Sequence, residues 1–182
     1  RPMLLNALES CLLVIDIQDK LLTAMDDAQG VLANTSILMR GAGRLDVPAL
    51  VSEQYPKGLG PTNADLTALT PPGDVVEKLS FSCAGEPAYM TRLRGLGRRQ
   101  LVITGIEAHV CVLQTALDLT AQGFKCFVVA DAVSSRLARN RDLALTRMRD
   151  NGCQIVSTEM VLFEWLQAAG SDEFKELSKL VR

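Results

Sequence analysis

Six short, β-rich apolar runs, separated by longer stretches of helical periodicity, leave this chain few ways to fold. The runs cover residues 11–16, 48–53, 74–77, 100–104, 125–130 and 153–157. Most are continuous in apolar residues rather than alternating, the pattern of strands buried on both faces. Residues 21–44, 63–69, 85–96, 110–121, 139–149 and 160–169 read as helices between and after them. The clearest is 110–121, where Val110, Leu113, Leu117 and Ala121 recur at helical spacing before Gly123 stops it. A tail at 173–181 either caps a face or meets a second subunit.

Such alternation signals repeated βα units, and right-handed crossovers join their strands in parallel. The expected fold class is therefore α/β: a three-layer α/β/α sandwich around a mostly parallel six-stranded sheet, Rossmann-like in plan. The length of 182 residues fits a single domain spanning 1–182, large enough to bury a core without disulfides or a structural metal. Nineteen basic against 21 acidic side chains leave a net charge of -2, which argues against wholesale binding to nucleic acid or to a membrane. Five cysteines without a CxxC pair fit neither a disulfide framework nor a thiolate zinc site, and they suit a reducing compartment. With no export signal and no long apolar span, the expected location is cytoplasmic. No GxxxxGK[ST] run and no GxGxxG after the first strand support a nucleotide cofactor, so none is expected.

In an open parallel sheet, ligands gather beyond the carboxyl ends of the strands. The polar residues there are Asp16, Glu53, Lys78, the segment Glu107 to Cys111, and Asp131. Cys111 lies near the start of a helix directly after a central strand, where backbone donors and the helix dipole lower a thiol pKa and suit a nucleophile. It is equally readable as a small buried hydrophobe. Asp16 sits in the run Val-Ile-Asp-Ile-Gln, where a carboxylate needs a cation or several donors. Lys78 is a candidate for that cation, as part of a general-base site or of a structural ion pair. His109, the one histidine, is either an acid, base or ligand, or a turn-stabilising residue. A single histidine and scattered carboxylates make no metal motif, so no metal is expected. Arg92, Arg94, Arg98 and Arg99 form a basic cluster without interleaved aromatics, which reads as a solvated helix end more than a phosphate or RNA site. The loop 55–62, Tyr-Pro-Lys-Gly-Leu-Gly-Pro-Thr, is rich in turn formers and is expected to wall a site.

Three segments together resemble the isochorismatase-like hydrolases, a superfamily that includes nicotinamidases and N-carbamoylsarcosine amidases. They are Leu-Val-Ile-Asp16-Ile-Gln, Glu-Lys78-Leu-Ser-Phe-Ser and Thr-Gly-Ile-Glu-Ala-His-Val-Cys111-Val. The resemblance runs from about Cys11 to Trp165 and implies an Asp16-Lys78-Cys111 triad that attacks an amide or related carbonyl carbon. It also implies a cis Ile106-Glu107 bond, with the amides of Glu107 or Ala108 and of Cys111 as oxyanion-hole donors. Glu53, Gln54 and Tyr55 would line the pocket from the second strand, Phe81 and Ser82 from the lysine loop, and Ile106 from the fourth strand. The substrate would be a small molecule, and family members usually form homo-oligomers, with the last helices around Trp165 and Phe174 available as an interface.

Departures narrow the substrate. Nicotinamidase-like members carry an aspartate and paired histidines near the second strand, whereas this chain reads Ser52-Glu-Gln-Tyr-Pro-Lys-Gly58. Isochorismatases proper lack the nucleophilic cysteine. The segments 53–60 and 157–165 resemble the branch known only as isochorismatase domain-containing proteins, whose substrate is unsettled. A small amide or ureide is the expected substrate, with a carboxylated metabolite or a catalytically quiet scaffold as the alternatives.

Overall fold

The computed structural model of the protein describes residues 3–182. Six strands, β1 (Ser10–Ile15), β2 (Ala49–Gln54), β3 (Val75–Lys78), β4 (Gln100–Ile106), β5 (Lys125–Ser134) and β6 (Gln154–Val156), form one sheet in the order β3-β2-β1-β4-β5-β6. Every pairing between them is parallel. The helices are α1 (Asp19–Leu22), α2 (Ala28–Arg44), α3 (Pro56–Leu59), α4 (Ala64–Thr67), α5 (Pro87–Gly95), α6 (Leu113–Ala121), α7 (Ala138–Asp150), α8 (Thr158–Leu166) and α9 (Asp172–Leu177). None of them is long and apolar enough to cross a membrane.

Side chains alternate across a strand, so each strand feeds two cores. Cys11, Leu13 and Ile15 of β1 join Tyr89 and Leu93 of α5, Leu113 and Leu119 of α6, and Met148 of α7. Leu12 and Val14 join Val31 and Leu38 of α2, Leu66 of α4, and Val161 and Trp165 of α8. This is the three-layer α/β/α sandwich that continuous apolar runs imply. From β1 the chain winds outward to β3, and from β4 outward to β6 in the opposite direction. The loops after β1 and β4 therefore part, which opens a crevice at the carboxyl edge of the sheet.

Several boundaries differ from the sequence expectation, each for a local reason. The helix expected over 21–44 is broken: Asp27 adopts a left-handed conformation (φ 50°), and its side chain accepts from Gly30 N to start α2. β3 is an edge strand buried on one face only, with Val76 and Lys78 inward and Val75 and Glu77 outward. β4 and β5 run on to Ile106 and Ser134 through a register irregularity between Ile103 and Gly105. Trp165, expected near an exposed interface, is only 3% exposed and donates its indole N–H to Ser10 Oγ at 2.9 Å. The tail caps a face: Arg44 of α2 meets Glu173 at 3.2 Å and Glu176 at 2.6 Å, and the Phe174 ring sits 6.2 Å from that of Phe163.

At Gly105 the two central strands approach most tightly. Its φ of 133° is unfavourable for residues with a side chain, and an added Cβ would collide with the Ile15 carbonyl of β1. Gly105→Ala is expected to cost about 3 kcal/mol from strain and overpacking. That corresponds to a fall in melting temperature of about 6–12 °C by calorimetry; an unchanged transition would contradict this reading of the β1–β4 contact.

Candidate active site

β1 ends where Asp16 turns left-handed (φ 55°), with its backbone N–H donating to Ser52 O at 3.1 Å. The turn leaves the Asp16 carboxylate wholly buried at the carboxyl edge of the sheet. Lys78, the last residue of β3, places Nζ 2.8 Å from Asp16 Oδ2, with side-chain exposures of 1% and 0%. The same ammonium donates to Gln54 Oε1 at 2.6 Å, Ser80 O at 3.0 Å and Phe81 O at 2.9 Å. An ammonium has three N–H groups, so these acceptors saturate it. Ser52 Oγ donates to Asp16 Oδ1 at 2.7 Å, whereas Oδ2 has Lys78 as its charge partner but no well-aligned hydrogen-bond donor. Removing one member of such a pair leaves a buried charge uncompensated, at a cost of about 3–5 kcal/mol.

Cys111 sits in a π-helical turn, Ala108–Val112, that leads from β4 into α6. The preceding Ile106-Glu107 peptide is cis. The charges of both Asp16 and Lys78 act on the Cys111 thiol. Asp16, Lys78 and Cys111 thus gather at the carboxyl edge although they come from the ends of two strands and the turn after a third. Burial first and the Asp16 charge second push the Cys111 thiol up to about 12, against the opposing pull of Lys78. This corrects the sequence expectation of a lowered pKa: the thiol is only 7% exposed, and lost hydration outweighs the donors at a helix start. Burial also works to lower the Lys78 pKa, yet Asp16 and the neighbouring thiols of Cys111 and Cys83 carry it above its ordinary value.

A pocket of about 350 Å³ opens over Cys111. Its wall is made by Leu21, Leu59, Phe81, Ile106, Val110 and the Tyr55 ring, with Gln54 and Glu107 as its other members. Tyr55 holds a left-handed conformation (φ 37°) that is costly for an aromatic residue, and its ring lies where any Cβ on Gly58 would be. Glu107 Oε1 accepts from Arg136 N at 3.1 Å and from Arg136 Nε at 3.0 Å. Ala108, the first residue of the turn, is fully buried.

Other expected site residues have different work. Glu53 lies outside this lining; its Oε2 accepts from Thr62 N and Thr62 Oγ1, both at 2.7 Å, and so ties down the far end of the loop. Ser82 also stands outside it, with Oγ accepting from Ala84 N at 3.1 Å to cap a short 3-10 turn. Asp131 accepts from Thr158 N and Oγ1, each at 2.8 Å, anchoring the start of α8. His109 Nδ1 pairs with Ser135 Oγ at 2.8 Å, the turn-stabilising role. In the basic cluster, Arg92 meets Asp74 at 2.9 Å, Arg94 meets Gln122 at 2.5 Å, and Arg98 donates to Ala7 O at 2.8 Å. Among the described residues, no group of three or more His, Cys, Asp or Glu side chains is placed to hold a metal ion.

Sequence reasoning missed Ser52, Gln18 and Cys83. Gln18 accepts from Gln54 N at 2.7 Å and donates to Gln54 O at 2.9 Å and Gly60 O at 2.7 Å. Cys83 is fully buried within the charge field of Asp16 and Lys78, its N–H donating to Thr115 Oγ1 at 2.9 Å. For Ser52 a signal existed, since a hydroxyl in a buried strand must find a partner.

Comparison with known proteins gives a consistent result. The isochorismatase domain family matches residues 10–160. The chain is 39% identical over 175 residues to isochorismatase domain-containing protein 2 of Danio rerio, covering 94% of this chain and 86% of that protein. Against the structure of the MAR1 ribonuclease from Caenorhabditis elegans, the TM-score is 0.92 at 33% identity, over 98% of this chain and 92% of that one. An octameric hydrolase of unknown specificity from Escherichia coli shares the fold with a TM-score of 0.93 at 24% identity, over 99% and 92% of the two chains.

Because the Cys111 thiol is pushed up to about 12, its thiolate fraction grows with pH well past neutrality. Labelling of Cys111 by iodoacetamide, read by intact mass with Cys111→Ala as the blank, is expected to quicken about tenfold per pH unit from pH 7 to 10. A plateau reached near pH 7 would mean an ionised resting thiol and would refute this ordering of burial over dipole.

Proposed function

The chain belongs to the isochorismatase family of hydrolases, and from that premise we propose that it is a cysteine-dependent hydrolase of a C–N bond in a small amide or ureide. The observation that carries this reading is the buried Asp16 carboxylate, neutralised by Lys78 and with no well-aligned donor on Oδ2, beside the Cys111 thiol at the foot of a small pocket. A thiol that is protonated at rest needs a base when it attacks, and Asp16 is the base within reach.

In the proposed cycle, Asp16 takes the Cys111 proton as sulfur bonds to the carbonyl carbon. The tetrahedral oxyanion is held by the backbone amides of Glu107 or Ala108 and of Cys111. Collapse breaks the C–N bond, and the departing nitrogen takes the proton from Asp16. Water then attacks the acyl-enzyme, passing one proton to Asp16 while the C–S bond breaks, and the proton returns to sulfur. Lys78 keeps Asp16 charged between steps and offsets the charge that develops on sulfur. Ser52 orients the carboxylate through Oδ1.

Assembly is a further part of the proposal. Leu4, Met160 and Phe163, exposed by 76%, 54% and 38%, border one hollow on the outer face of α8. Together with the octamer described for the Escherichia coli protein, this supports a homo-oligomer.

The test is ammonia release across a panel of amides and ureides, with intact mass to trap an acyl adduct of the wild type. Cys111→Ala is expected to fall to background with no adduct, and Asp16→Asn to lose about 10²–10⁴-fold in kcat. Lys78→Met is expected to lose activity and also about 3–5 kcal/mol of stability. Turnover persisting at the wild-type rate in all three variants would overturn the assignment.

A further inference from the structure

We propose that the pocket over Cys111 selects uncharged amides with a short apolar acyl group and discriminates against substrates bearing a carboxylate. This deepens the cysteine-hydrolase reading and rests on it for the bond that is cut. Three observations carry the selection. The wall is built from Leu21, Leu59, Phe81, Ile106 and Val110, and among the described residues no lysine or arginine belongs to the lining. The nearest buried cation, Lys78, has its three N–H groups taken by Gln54 Oε1 and the carbonyls of Ser80 and Phe81 and its charge paired with Asp16, so it has no donor to offer a ligand. The Gln54 amide is largely committed, with Oε1 accepting from Lys78 Nζ and one Nε2 N–H donating to Leu79 O at 2.9 Å.

The cations near the ligand space are already spent on carboxylates of the protein. Glu107, which belongs to the lining, is paired with Arg136, and Asp16, whose charge acts on the Cys111 thiol, is paired with Lys78. A substrate carboxylate would leave water to meet hydrocarbon and two carboxylates whose counter-ions are already engaged. Arg136, with its side chain 65% exposed, is already paired with Glu107 through Nε at 3.0 Å. An anion using its remaining N–H groups would have to lie beside the Glu107 carboxylate, a like charge. The volume of about 350 Å³ lies at the small end of ligand sites, which suits a small acyl group.

Charge can be separated from size with amides of one skeleton. Butyramide carries a methyl group where succinamate carries a carboxylate, and succinamide is the neutral isostere of succinamate. The expected order of kcat/KM is butyramide, then succinamide, then succinamate, with at least about 100-fold between the first and last. Succinamate turned over within about threefold of butyramide would overturn the selection. Loss of that turnover in Arg136→Gln would assign anion recognition to the rim instead.

A second measurement does not depend on hydrolysis. Cys111 sulfur displaces iodide from iodoacetamide or from iodoacetate, forming a C–S bond and releasing iodide, with the thiol proton passing to solvent. The ratio of the two rates, read by intact mass at one pH and divided by the same ratio for glutathione, is expected to exceed about tenfold. A normalised ratio near one would overturn the selection whatever the amides do. A high ratio with no amide turned over would leave the selection standing and reject the hydrolase reading. Leu59→Arg, which adds a cation to the wall, is expected to lower the normalised ratio by at least about tenfold.

Discussion

An ammonium and a carboxylate, both buried, meet at the carboxyl edge of the sheet, and the architecture around them follows from holding the two together. Asp16 and Lys78 come from β1 and β3, which are not neighbours; β2 lies between them and contributes Ser52 to one charge and Gln54 to the other. The parallel register makes this possible by setting Ile15 opposite Ser52 and Gln54 opposite Lys78. Burying a pair of charges brings little stability by comparison with apolar side chains of the same volume. Its value here is positional, since a partner lost on any of the three strands strands a charge in the core.

From that pair outward, each polar group that seemed available for a ligand is used to hold a wall. Gln18 clamps the backbone of Gln54 and reaches Gly60, and Glu53 grips both the N–H and the hydroxyl of Thr62. The loop between them is pinned at both ends, which explains how Tyr55 is kept in a left-handed conformation that an aromatic residue avoids. Floor and wall are thereby made from different materials. The floor is ionic, the wall apolar, and the thiol lies where the two meet.

The environment of that thiol shows why position along the chain is a poor guide to ionisation. A cysteine at the start of a helix after a central strand has the local features of a lowered pKa. In the folded protein, burial and a carboxylate from the first strand act the other way and prevail over Lys78. The two opposing charges, Asp16 and Lys78, lie 95 and 33 positions before Cys111 in the chain, so no short window of sequence contains them.

The amino-acid sequence by itself determined the number of strands, the family likeness and the candidate acid, amine and thiol. Continuous apolar runs with helical stretches between them admit one kind of sheet, and polar residues at the ends of such runs are few enough to name. It also supplied false neighbours: Glu53 and Ser82 lie beside pocket residues in the chain yet turn to hold a loop and cap a turn, and Trp165 lies in the core rather than on an interface. Only the tertiary structure decided which strand ends share a crevice, that Ser52, Gln18 and Cys83 belong to its surroundings, and that burial pushes the Cys111 thiol up rather than down. Those outcomes depend on burial and on distances between charges through space, and both come into being when the strands pair and the helices close over them.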